Sequence, residues 1–164
     1  MRREAIFVLL VSLFFAASAG AQSYSPEEQG IVDRTVTEYK NLGDRNFDAM
    51  AVGSTNLVKM EADSNGGLWD AITRKEQLDD LRNAPYTLRA TPHHIQILFL
   101  GSGKDVAYVT YYLTGSITLE DGTVVDNYRT RASEVLEKVD GQWVGRGAHY
   151  SKLFEGSGIP SPTN

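Results

Sequence analysis

The stretch that decides the fold runs from Val124 to Leu153 and reads VVDNYRTRASEVLEKVDGQWVGRGAHYSKL. Two alternating runs flank Asp140-Gly141. That dipeptide between alternating segments predicts a two-residue hairpin, because both central residues of a type I′ turn need φ > 0. The short loop also sets the register, with Val139 opposite Gln142. Carried on without interruption, this register places Glu134 opposite Gly147, Ala132 opposite His149 and Thr130 opposite Ser151. One face then carries Tyr128, Thr130, Ala132, Glu134, Leu136, Trp143, Gly145, Gly147, His149 and Leu153. The other carries Arg129, Arg131, Glu137, Arg146 and Lys152. The first face is therefore the inner one. Its groups suited to acid–base work are Glu134 and His149, diagonal neighbours within reach of each other.

A second Asp-Gly, at Asp121-Gly122, extends the pattern to a third strand. With Glu120 opposite Thr123, Val109 faces Glu134, Tyr111 faces Ala132 and Leu113 faces Thr130. Val109, Tyr111, Leu113 and Ile117 fall inward, in keeping with their apolar character. One extra residue in either strand would reverse these parities. The run His93 to Leu100 reads as a further strand, with His93, Ile95, Ile97 and Phe99 taken as inward.

The first half of the chain is helical. Ser25-Pro26-Glu27-Glu28 has an N-cap, a proline at N1 and a capping-box acid at N3. Ile31, Val32, Val36, Tyr39 and Leu42 follow at helical spacing, and Gly43 ends the helix. Asp44 to Ala51 reads as a short helix with Phe47 and Met50 inward, and Leu57 to Glu61 as a short strand. Thr73-Arg74-Lys75-Glu76 opens another helix, which ends before Pro85. Helices followed by an antiparallel meander predict an α+β fold, with the helices packed on one face of a curved sheet.

Arg2 and Arg3 precede an apolar run from Ala5 to Ala17, and Ala19-Gly20-Ala21 offers a cleavage site before Gln22. This is the pattern of a secretory signal peptide over residues 1–21, too short to span a bilayer. It predicts a secreted or periplasmic protein without stable membrane association. The expected domain covers residues 22–154, and the Gly-, Pro- and Ser-rich residues 155–164 are expected to form a flexible tail. The chain has no cysteine and a net charge of -5. Disulfides and thiolate metal sites are thereby excluded, and an acidic chain without a basic run is a poor nucleic-acid binder. No metal site or cofactor is expected. His93-His94 has no metal-binding spacing, because neighbouring strand residues point to opposite faces.

The order of elements, Asp140-Gly141-Gln142-Trp143 and His149-Tyr150-Ser151 together resemble the nuclear transport factor 2-like superfamily. Thr91-Pro92-His93 and the tyrosine-rich strand Val106 to Thr114 add to the likeness, which covers Pro26 to Leu153. Within that superfamily the chain is most similar to SnoaL-like proteins and to the association domain of calcium/calmodulin-dependent protein kinase II. The resemblance implies a cone-shaped fold, a small-molecule pocket between sheet and helices, and a homodimer through the outer sheet face. The association domain's pocket arginines have no counterpart, since Tyr111 or Tyr112 and Glu134 stand at the matching positions. The isomerases' tyrosine has a counterpart in Tyr39 on the first helix, but no matching pair of aspartates is found. The dehydratases' pocket histidines correspond to His149 and His93.

Two functions follow. The first is a binding module that holds a small, largely apolar molecule in a pocket lined by Tyr39, His93, Val109, Leu113, Ala132 and Gly147. The second is an isomerase, dehydratase or cyclase, with His149 as acid or base, Glu134 orienting it and Tyr111 donating to a developing oxyanion. A structural reading stands beside both: His149 fills space next to Gly147, and a ring nitrogen bonds Glu134 or a tyrosine. The binding module is favoured, because no complete catalytic set is recognisable. As for export, N-terminal sequencing of the chain purified from its host's periplasm should begin at Gln22; a protein that keeps Met1 contradicts the leader.

Overall fold

Ser25 caps the first helix as its sequence predicts. Its hydroxyl accepts from the Glu28 amide, and the Glu28 carboxylate accepts in return from the Ser25 amide at 2.7 Å. This reciprocal bonding satisfies backbone donors that a helix start otherwise leaves open. The computed structural model describes residues 23–51 and 56–160. The leader over residues 1–21 and the last four residues of the expected tail lie outside the described residues.

Helix α1 spans Pro26–Gly43, and a single turn, α2, spans Phe47–Met50. Strands β1 (Val58–Ala62) and β2 (Asp70–Thr73) lead into helix α3 (Arg74–Asn83), which opens on a second capping box, Thr73 with Glu76. Four long strands follow: β3 (Tyr86–Leu100), β4 (Val106–Leu119), β5 (Val124–Val139) and β6 (Gln142–Lys152). They form one six-stranded, unclosed sheet in the order β2-β1-β6-β5-β4-β3, antiparallel except where β1 joins β6. The fold is therefore α+β, as expected. Strand β2 was not predicted: it is four residues long, and neither of its faces is fully buried, so it carries no alternation to read. Strand β3 begins well before the expected start at His93. Pro92 lies within it, at the sheet edge where a missing N–H is tolerated.

The core lies between α1 and the concave face. Ile31, Thr35 and Tyr39 are buried on the helix side; Val109, Tyr111, Leu113, Tyr128, Thr130, Ala132 and Leu136 are buried on the sheet side. Thr35 returns its hydroxyl to the Ile31 carbonyl at 2.9 Å, which makes a polar residue acceptable there. Phe47, Met50 and Leu78 form a second, smaller cluster under α2 and α3.

Three irregularities bend the sheet and set which side chains face inward. The Asp140-Gly141 turn is as expected, with both residues at positive φ. Register then runs from Val139↔Gln142 to Leu136↔Gly145, but Arg146 is an extra residue, and Val135 pairs with Gly147. Beyond Arg146 the parity of β6 is reversed. Glu134 pairs with Ala148 rather than Gly147, Ala132 with Tyr150 rather than His149, and Thr130 with Lys152 rather than Ser151. Between β4 and β5 the expected pairs Val109↔Glu134, Tyr111↔Ala132 and Leu113↔Thr130 are present, although the turn differs. The hairpin closes between Leu119 and Thr123, one residue off, and an extra residue at Asp126-Asn127 restores the register. In β3 a bulge between His93 and Gln96, with His94 at φ 52°, turns His93 outward while Ile95, Ile97 and Phe99 face the core.

The segment after β6 is docked along its described length. The Ser157 amide donates to Asn127 O at 3.1 Å, and the Ile159 amide donates to the Ser64 hydroxyl at 3.1 Å. The expectation of a free tail from residue 155 is corrected accordingly: Ile159 packs against the core, and that anchors the strap.

Gly115 shows how closely β3 and β4 approach. A Cβ at this position would overlap the carbonyl oxygen of Arg89 on the neighbouring strand. Gly115→Ala should therefore destabilise the fold by about 2 kcal/mol or more, because backbone rather than a movable side chain must yield. Urea unfolding with no loss of stability would contradict this packing.

Candidate functional site

The inner face of β5 carries Glu134 beneath α1, and the residue is only 5% exposed. A carboxylate there needs a partner. It is supplied by α1: Arg34 Nη1 donates to Glu134 Oε2 at 2.8 Å. The expected partner, His149, is absent from the inner face. The Arg146 bulge turns it outward, where it is exposed and stacks with Trp69 at 5.6 Å between ring centroids. Tyr150 takes the inner position, and its hydroxyl donates to Glu134 Oε1 at 3.4 Å.

From Tyr150 a string of phenols runs deeper. Tyr39 OH donates to Tyr150 OH at 3.4 Å and lies 2.9 Å from Tyr111 OH. Burial, above all, pushes all three hydroxyls well above the ordinary tyrosine range, so they stay protonated and able to donate. On the other side of Arg34 the polar chain continues through Glu38. Arg74 from α3 donates to Glu38 at 2.6 Å and to Gln77 at 2.6 Å. Gln77 donates to Glu61 on β1 at 2.7 Å, and Lys59 forms an ion pair with Glu61. Burial works to raise the Glu38 carboxyl, but Arg34 and then Arg74 outweigh it and hold that group below the usual range. Burial works against the charge on Arg34 as well, yet Glu134 and then Glu38 keep it protonated.

This chain of polar groups separates two hollows. The larger, about 580 Å³, is a groove between α1, β1 and the β5–β6 hairpin, lined by Arg34, Lys59, Arg74, Glu134 and Gly145 among others. Most of its charged groups are already in ion pairs: Arg34 with Glu134, Arg74 with Glu38, Lys138 with Glu27, and Lys59 with Glu61 of β1. The smaller, about 260 Å³, is a chamber open to solvent on one side and bordered by α1, α2, α3, the β1–β2 connection and the docked strap. Leu42, Phe47, Leu81, Leu88 and Ile159 give it apolar walls, while Tyr39, Tyr86, Tyr128, Tyr150 and Asp63 bring polar atoms to it. Glu38, Glu61, Asp70, Asp80 and Arg45 line it as well, but it carries more apolar side chains than the groove does, which is nearer the usual character of a small-molecule site and makes it the better candidate despite its size.

The expected site residues divide between these places. Tyr39 borders the chamber, Glu134 borders the groove, and Tyr111 is joined to Tyr39. Val109, Leu113 and Ala132 are buried in the core. Gly147 lies on the outward part of β6 beside Met60, and His93 is exposed and bonded to Thr114. Arg34, Glu38, Asp63 and Tyr150 were not anticipated. Arg34 and Glu38 stand four apart beside the Ile31–Thr35–Tyr39 stripe, a spacing that could have flagged them. Tyr150 was hidden by the bulge. Among the described residues, no group of three or more His, Asp or Glu side chains could hold a metal ion, and no helix is long and apolar enough to cross a membrane.

No protein-family model matches the sequence, and no curated protein matches it. Solved structures do match. A nuclear transport factor 2-like protein from Cytophaga hutchinsonii superposes with a TM-score of 0.60 at 16% identity, covering 79% of this chain and 100% of that one. The fold is nuclear transport factor 2-like. The association domain of the Caenorhabditis elegans calcium/calmodulin-dependent protein kinase II superposes on the same fold with a TM-score of 0.58 at 18% identity, covering 77% of this chain and 95% of that domain. A candidate scytalone dehydratase from Novosphingobium aromaticivorans gives 0.61 at 13% identity, covering 78% and 85%. Members of this fold thus include association domains and proteins named for enzymes, and fold alone does not choose between them.

Asp63 offers a direct reading of the chamber. Partial removal from water, and next the Glu61 carboxylate, push its carboxyl up to about 6. A carboxyl raised on folding binds its proton more tightly in the native state, so it lowers stability as pH rises through the window from about 4 to about 6. Asp63→Asn should stabilise the protein at pH 8 by on the order of 1 kcal/mol, discounted for solvent screening. The gain should vanish below about pH 4. Urea unfolding at several pH values measures it, and a variant less stable than wild type at pH 8 would contradict the assignment.

Proposed function

We propose that this chain is an exported binding module that holds a small, largely apolar molecule in the chamber beneath α1 and works as a homodimer. The observation that carries the reading is the chamber itself: apolar side chains from α1, α2, α3 and the strap, with phenols and the carboxylates of Glu38, Glu61, Asp63, Asp70 and Asp80 among its lining. At about 260 Å³ it suits a one- or two-ring compound. The catalytic alternative needs His149 beside Glu134. The Arg146 bulge sets these side chains on opposite faces, so binding stands ahead. Export rests on the leader pattern in residues 1–21.

Dimerisation is supported by the convex face. Met60, Leu98, Leu100, Tyr108 and Tyr112 are all exposed there, an apolar surface of the kind that marks an interaction site. Arg131, bonded to Ser151, lies among them.

The binding test is chamber filling. Ligand-observed NMR with 2-phenylethanol should show binding to the full chain, and Leu81→Trp should abolish it with an unchanged circular dichroism spectrum. Retained binding in the filled variant would place the ligand elsewhere. For assembly, light scattering should give twice the chain mass, and Tyr112→Glu should give a folded monomer. A wild-type monomer at high concentration would leave the convex face to solvent.

A further inference from the structure

None of the chain's three histidines borders the groove or the chamber. All of them stand exposed on the convex face. The Arg146 bulge turns His149 outward beside Trp69, and the bulge in β3 leaves His93 and His94 outward against β4. His93 Nε2 lies 2.8 Å from the Thr114 hydroxyl, and the His94 ring meets the Tyr112 ring edge-on at 6.1 Å between centroids. Between β3 and β6 the face is hollowed by about 350 Å³, with His94, Tyr108, Tyr112, Arg131, His149 and Ser151 in its lining.

Around this hollow the charges have one sign. Arg131 donates through Nε to the Ser151 hydroxyl at 2.7 Å, and no carboxylate belongs to the lining. The neighbouring elements supply none that is unengaged. On β3 the one further charge, Arg89, is paired with Asp44 at the end of α1. Strand β4 has no charged residue. On β5, Arg129 adds positive charge, and Glu137, toward the hairpin, is held by Arg146 of β6 at 2.9 Å. On β1, Met60 is exposed on this side, so Lys59 and Glu61 point to the other; Asp70 of β2, which pairs with Glu61, goes with them to the chamber wall. Histidine takes up its proton between about pH 5 and 8. Arg131 is thus the one charge at the hollow in mildly alkaline solution, and in mild acid three imidazoliums join it on the same face.

We propose that the homodimer is a pH switch: two convex faces meet while His93, His94 and His149 are neutral, and part when these histidines become charged. This rests on the reading of the convex face as the dimer contact and adds its regulation. A two-fold contact brings the same surface to both sides. Each copy then offers the other imidazoliums and guanidiniums, with no carboxylate at the hollow to receive them, and like charges set against each other oppose association. Assembly favours neutral rings, separation takes up protons, and the dissociation constant rises as pH falls. An acidic partner on this face would show the opposite trend.

The test is sedimentation equilibrium of the full chain at about pH 8 and about pH 5.5, with circular dichroism to show that the fold is kept. The dissociation constant should be about ten-fold or more higher at the lower pH, the effect of holding even one ring neutral about one unit below the usual histidine midpoint. His93→Gln, His94→Asn and His149→Gln together remove every histidine of the chain, and asparagine suits the positive φ at position 94. In that variant the two constants should converge; an unchanged pH dependence would assign it to other groups and overturn the switch. Should the variant fold poorly, salt carries the test in the wild type. At about pH 5.5, raising sodium chloride from about 0.05 to about 0.5 M should tighten the dimer by screening the repulsion, with little change at about pH 8. Equal wild-type constants at the two pH values would overturn the switch and leave the dimer standing. Tighter association at the lower pH would overturn it as well, because acidic groups would then receive the histidines. A wild-type chain that stays monomeric at about pH 8 would overturn the dimer reading and the switch together.

Discussion

The pairing of Arg34 with Glu134 is the contact on which the rest of the interior depends. Glu134 lies on the inner face of β5, inside the sheet, where an unpaired carboxylate would be costly. Its guanidinium partner comes from α1, so the pair fixes where the helix lies along the sheet. With that position set, Ile31, Thr35 and Tyr39 face β4 and β5, and Glu38 reaches Arg74 on α3. The second Glu134 oxygen accepts from Tyr150, which starts the string of buried phenols. One acidic residue thus organises both the packing of α1 and the partition between groove and chamber.

Much of this frame was legible in the sequence. Both capping boxes, the Asp140-Gly141 turn and the inward face of β5 follow from local rules, because each depends on residues close in the chain. What was not legible is the count of residues across a strand pair. Arg146 is one residue too many for its partner strand, and alternation on β6 gives no warning, since Gly145, Gly147 and Ala148 have small side chains that fit either face. Glycines on both sides of Arg146 were the available hint, as strand glycines often mark bulges. The cost of missing it was an exchange of His149 for Tyr150. On the other flank the β4–β5 pairing was recovered although its turn was misread, because two one-residue departures cancel.

The same point separates fold from function. The superposed structures share the cone and its helices, and they share little sequence. The character of this chain's interior comes from side chains that the fold does not prescribe: the paired charges along α1 and the phenols of Tyr39, Tyr111 and Tyr150. The histidine that the sequence offered for acid–base chemistry, His149, stands on the outer face beside Trp69.

The measurement that tests this arrangement most directly is a pair of double-mutant cycles read by denaturant unfolding. One combines Arg34→Met with Glu134→Gln, the other His149→Gln with Glu134→Gln. The account predicts a coupling of about 2 kcal/mol in the first cycle and additivity within about 0.5 kcal/mol in the second. Additive effects for Arg34 and Glu134, together with strong coupling between Glu134 and His149, would mean that β6 runs without its bulge, and the interior described here would be wrong.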